Sequence, residues 1–109
     1  MSKKGDRVGA ILGSEPDGTV NFFGYGTYDG EEVPLSAVGF MADALREMER
    51  VNPKIVLDNG KVVWGCECWW GSEKRVMSIL ADKKVVNVDI DAVRADWKRQ
   101  DEAAQQKES

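Results

Sequence analysis

Cys66 and Cys68 stand one residue apart around Glu67, in a run, Lys61–Ser72 (KVVWGCECWWGS), that also holds three of the chain's four tryptophans. Two thiols at this spacing can ligate a metal, attack as a thiolate or close a small ring, and the carboxylate between them can act as a base or grip a cation. Each of these chemistries needs partners. Structural zinc takes four ligands from Cys and His, and this chain has two cysteines and no histidine, so no metal and no other cofactor is expected. A thiolate nucleophile needs a base, a cation or a helix N-terminus beside it; a helix starting near Ser72 would bring one close to Cys68. A Cys66–Cys68 disulfide would join Cα atoms roughly 6.5–7 Å apart in an extended strand, at the limit of disulfide geometry, so two free thiols are expected.

In an extended strand the period of two puts Val62, Trp64, Cys66, Cys68 and Trp70 on one face and Val63, Gly65, Glu67 and Trp69 on the other. The first face is apolar throughout and reads as core. On the second, Glu67 sits between a bare glycine and an indole, a combination that can hold a cation or a hydrogen-bond donor, or can simply be the solvent side of an alternating strand. The aromatic run Val20–Tyr28 (VNFFGYGTY) would add Tyr25 and Tyr28 to the same cleft if the two strands pair, with Asp29, Glu31 and Glu32 as an acidic rim. The candidate ligand-binding set is therefore Tyr25, Tyr28, Glu67 and Trp69.

The elements that must position these residues follow from turns and periodicity. Lys4–Leu12 reads as a strand, SEPDG at 14–18 as a turn, and a second strand starts at Thr19. Gly24 and Gly26 inside it signal a bulge, a bend or the close approach of another backbone or a ligand. Residues 36–51 form an amphipathic helix capped by Ser36, with Val38, Met41, Leu45 and Met48 in one inward stripe. Asn59-Gly60 joins two apolar runs as a type I′ hairpin, and Asp58 beside it reads as turn chemistry. A short helix spans Ser72–Lys83 with Val76, Met77, Ile79 and Leu80 inward, and a strand covers 85–90. Asp89 or Asp91 then caps a last helix bearing Ile90, Val93 and Trp97 on one side.

The order is β-β-α-β-β-α-β-α: an α+β fold, one domain over 1–100, with a small curled antiparallel sheet, helices packed on one face, and a polar tail at 101–109 that frays. The opening strand–turn–strand is similar to the start of SH3-like barrels, which makes such a barrel one way for the sheet to close.

A net charge of -4 with 15 scattered basic residues argues against nucleic acid as a partner. Without an apolar leader after Lys3 and Lys4, and without a long apolar window, a soluble cytoplasmic protein is expected, with no membrane partner. The blocks FFGYGTYDGEEVP and NPKIVLDNGKVVWGCECWWGSE together resemble small uncharacterised proteins carried by bacteria, phages and mobile gene cassettes. The resemblance covers about a third of the chain, implies an accessory bacterial role and brings no catalytic residue with it. The function expected is a non-enzymatic binding or protein-interaction module, homo-oligomeric (a homodimer in the simplest case), taking a peptide or small molecule in its aromatic and carboxylate cleft. A small enzyme using Glu67 or Cys68 is one alternative. An acidic inhibitor or nucleic-acid mimic, with residues 29, 31, 32, 43, 47 and 49 on one surface, is the other.

Overall fold

The structure is a computed structural model that describes residues 2–108, and the side chains of residues 2–104. Its elements are β1 (Arg7–Ser14), β2 (Val20–Glu32), α1 (Phe40–Glu47), β3 (Asn52–Leu57), β4 (Val62–Trp64), β5 (Trp69–Ser72), α2 (Glu73–Leu80), β6 (Val85–Asn87) and α3 (Ile90–Glu108), with a single 3-10 turn, Gly65–Glu67, between β4 and β5. The fold is α+β, and the strands lie in the order β4-β3-β2-β1-β5, every neighbour antiparallel. The sheet is not closed: β4 and β5 stand at its two ends without pairing, and the 3-10 turn joins them. One pairing departs from the antiparallel expectation: β6 runs parallel to β2 at Val20–Phe22. Among the described residues no helix is long and apolar enough to cross a membrane.

Helices flank both faces of the sheet rather than one. On one face Val8, Ala10, Phe23, Ile55, Leu57 and Val63 pack with Ile90 at the start of α3. On the other, Ile11, Val20 and Phe22 pack with Val76 and Leu80 of α2. Gly9 is what lets α2 seat there, since a Cβ at that position would lie 2.8 Å from a Val76 methyl. Ser72 caps α2 by accepting from Arg75 N, and Asp89 caps α3 by accepting from Ala92 N. Met77 and Ile79, expected inward, are exposed. From Gln100 onward α3 continues as helix through the polar segment to Glu108.

Two local expectations change. The 57–61 hairpin has positive φ at Gly60 alone, with Gly60 N bonded to Leu57 O and Leu57 N to Lys61 O. It is thus a type I turn followed by a left-handed glycine, not a type I′ turn. The first helix starts at Phe40, not Ser36, because the Ser36 hydroxyl accepts from the buried Trp64 indole at 2.7 Å instead of capping. Its stripe is also turned outward: Met41 and Met48 are 63% and 59% exposed, while the small Ala42 packs on Ala37 and Trp64. Arg46 explains the choice of face. Its guanidinium donates to the carbonyls of Pro34 and Ala37 and pairs with Asp43, rolling the polar side of α1 onto the preceding loop.

Candidate functional site

The tryptophan-rich arm is not one strand. It stops at Trp64, turns once through Gly65–Glu67, and resumes at Trp69. The turn is held from outside: Asn52 Oδ1 accepts from Cys66 N at 2.7 Å, and Gly65 lies so close to Pro53 that a Cβ would sit 3.0 Å from its ring. Breaking the period of two reverses the orientation expected for the acid. Glu67 is buried, with no side-chain exposure. Its Oε1 accepts from Arg94 Nη2 at 2.7 Å and Trp64 N at 3.1 Å, and its Oε2 from Arg94 Nε at 2.8 Å and Val38 N at 3.4 Å. Arg94 also donates to Val62 O at 2.8 Å. The carboxylate therefore ties α3, the 3-10 turn and the loop before α1 together, with each oxygen already engaged.

The thiols are free and half-buried. Burial, then the Glu67 charge, pushes Cys68 up to about 12, and burial first also raises Cys66. Cys68 Sγ points at Trp64 O, 3.5 Å away. At neutral pH both groups are thiols, and Ser72, not a sulfur, occupies the start of α2. Among the described residues no three of His, Cys, Asp and Glu gather at metal-binding distance.

The structure disperses the other members of the expected set. Tyr28 stacks on Trp70, with ring centroids 5.4 Å apart and planes at 17°, against the core. Tyr25 meets Phe22 edge-on at 4.9 Å on the α2 side. Trp69 is 43% exposed beneath the Arg75 guanidinium, 5.5 Å away. The expected grouping fails because residues 25 and 28 fall on opposite faces of a strand.

A cleft does form where β2 changes partners. With β1 on one edge, the other edge pairs with β6 at Val20–Phe22 and with β3 from Gly26 onward. Residues 23–25 fall between, and the gap opens a crevice of about 410 Å³. Phe23, Tyr25, Leu57 and Val88 give it apolar walls, while Asp58, Asn59, Asn87 and Asp89 supply a polar rim. The two strand glycines now divide their roles. Gly26 lets β3 close, since a Cβ there would lie 2.3 Å from Val56 O. Gly24, at φ 136°, takes a conformation that side chains disfavour, and a Cβ there would meet a Leu57 methyl at 4.0 Å.

Both rim carboxylates are ionised and anchored. Asp58 accepts two bonds from Arg7, at 2.7 and 2.8 Å, which lowers its pKa, and Arg7 also pairs with Glu73 at 2.9 Å. Asp89 is lowered by its bond from Lys61, which pairs with Asp91 as well, at 3.1 Å. Each cluster sets one cation against two carboxylates, so each carries one excess negative charge. Sequence reasoning had Asp58 and Asp89 as turn and cap residues. Their local roles are those, and only the tertiary meeting of the 57–61 turn with the β6–α3 junction makes them a rim. Comparison with protein-family models, with curated proteins and with solved structures finds no match.

Proposed function

We propose that the protein is a non-enzymatic binding module that receives a cationic group, an amine, a guanidinium or a basic peptide side chain, in the crevice beside Tyr25. The observation that carries this reading is the pairing of an apolar, aromatic-walled gap in the sheet with two ion clusters that are each one charge short of neutral. The volume falls within the range of about 300–1,000 Å³ typical of small-molecule sites. The aromatic and carboxylate chemistry expected of the chain is kept, with Asp58 and Asp89 in place of Glu67. An enzymatic reading gains less support, since Glu67 is fully engaged and both thiols are held protonated.

The excess negative charge of the two clusters favours a cation over its neutral isostere, and more so at low salt. The test is an amide-shift titration with phenethylamine, 2-phenylethanol and 3-phenylpropionate. Shifts at Gly24, Tyr25, Asn59 and Asn87 with the amine, far weaker with the alcohol and absent with the acid, are expected. Glu73→Gln together with Asp91→Asn removes the excess charge without touching the lining and should erase the amine's advantage. An advantage that survives in this variant rejects the reading.

A second reading, a protein-interaction module, has its own observation. Leu35, Phe40, Met41, Met48 and Val51 are all more than half exposed around α1. An apolar surface of that kind marks an interface, and methionine adapts to varied partners. Self-association through this surface gives the homo-oligomer expected of the chain, and sedimentation at rising concentration tests it.

A further inference from the structure

A second cleft lies on the α2 side of the sheet, distant in chemistry from the crevice. It measures about 340 Å³ and is walled by Ile11, Val20, Ile79 and the half-exposed Trp69. Lys83 is the one charged residue among those that line it. Arg75 lies over the Trp69 ring at 5.5 Å. Among the described residues neither cation enters an ion pair. The acids of the neighbouring β1–β2 turn are committed elsewhere. Asp17 accepts from Thr19 N to close the turn, and Glu15 accepts from the Asn21 amide, on the face of β2 opposite Val20. An apolar floor with an indole for stacking, a lysine on the lining and an arginine over that indole is complementary to an amphiphile of opposite charge.

We propose that this cleft binds a small apolar carboxylate, an aromatic or branched aliphatic acid whose body lies on Trp69 and Ile79 and whose anionic end meets Lys83 and Arg75. The sign of the charge preference is opposite to that of the crevice, so the two sites are separable in one experiment. The full chain, labelled with nitrogen-15, is titrated with 2-naphthoate and, separately, with 2-naphthylmethylamine. Expected are saturable shifts with naphthoate at Ile11, Gly13, Gly18, Val20, Ile79 and the Trp69 indole N–H, and binding of the amine at these residues at least tenfold weaker. Lys83→Glu, a change at an exposed side chain, should weaken naphthoate at least fivefold with the spectrum otherwise intact, and Trp69→Ala should abolish it. Equal binding of acid and amine, an unchanged affinity in Lys83→Glu, or naphthoate shifts confined to the Tyr25 crevice would each overturn the proposal. Because the Lys83 side chain is exposed, its variant decides the matter even if Trp69→Ala does not fold.

Discussion

Arg94→Met is the sharpest perturbation of the buried clamp. It removes both charge-assisted bonds to Glu67 and leaves a carboxylate with no solvent exposure on two backbone donors, one of them as far as 3.4 Å. Removing one partner of a buried ion pair costs about 3–5 kcal/mol, mostly the penalty of the stranded charge. Against a total of about 5–15 kcal/mol for a domain, that is roughly a fifth or more of the stability. In urea, with a slope of about 1.5 kcal/mol per molar, the midpoint should fall by about 2–3 M. Adding Glu67→Gln neutralises the stranded group while keeping an acceptor for Trp64 N, so the double variant should recover about 2 kcal/mol over Arg94→Met alone. The midpoints are read by tryptophan fluorescence at constant slope, and the loss should be insensitive to salt because the pair is shielded from it. A loss below about 1 kcal/mol, or a double variant no better than the single, refutes the clamp and returns Glu67 to the pool of free carboxylates.

Thiol modification should proceed at Cys66 long before Cys68, the latter reacting with iodoacetamide at neutral pH only when the domain opens; mass mapping of the alkylated sites checks this, and equal rates contradict it. Asp58 and Asp89 have folded pKa values lowered by Arg7 and Lys61, so they add stability above the unfolded value of about 4, lost as pH falls through the folded values. Urea midpoints between pH 7 and 3 should show that decline, flattened in Asp58→Asn with Asp89→Asn. Glu49, just past the C-cap Met48 of α1, has φ 54°, with Arg50 N bonded to Leu45 O, the place where glycine is preferred; Glu49→Gly should raise stability by about 0.5–1 kcal/mol, and a lower urea midpoint would contradict it. If α1's apolar surface joins two copies, Phe40→Asp with Met41→Lys should leave a monomer at concentrations where the parent sediments as a dimer.

Much of the element order could be read from local chemistry. The Pro16-Asp17-Gly18 turn, the Asn59-Gly60 hairpin, and the Ser72 and Asp89 caps each depend on residues within four positions, and all four lie at element boundaries. What periodicity could not supply was the direction of a face. The stripe of Met41, Leu45 and Met48 does share one side of α1, but which side meets the domain was decided by Arg46 reaching carbonyls at Pro34 and Ala37. The break at Gly65 was hidden for a similar reason. Its causes, Asn52, Pro53 and Arg94, lie 12 to 29 residues away, and nothing between Val62 and Trp70 announces them.

The crevice shows how such long-range decisions create a site that no motif encodes. A strand of 13 residues is longer than either partner on its open edge, and β3 and β6 divide that edge between them. They cannot meet, because β3 leaves through the 57–61 turn while β6 runs the opposite way and hands over to α3. A gap at residues 23–25 is the geometric consequence, and Gly24 lines it. The polar groups at its rim are there because turns and helix caps use Asp and Asn, which accept hydrogen bonds from nearby backbone N–H groups. Local folding chemistry at two separate chain reversals thus delivers the carboxylates, and the sheet's division of one strand between two partners delivers the cavity they surround.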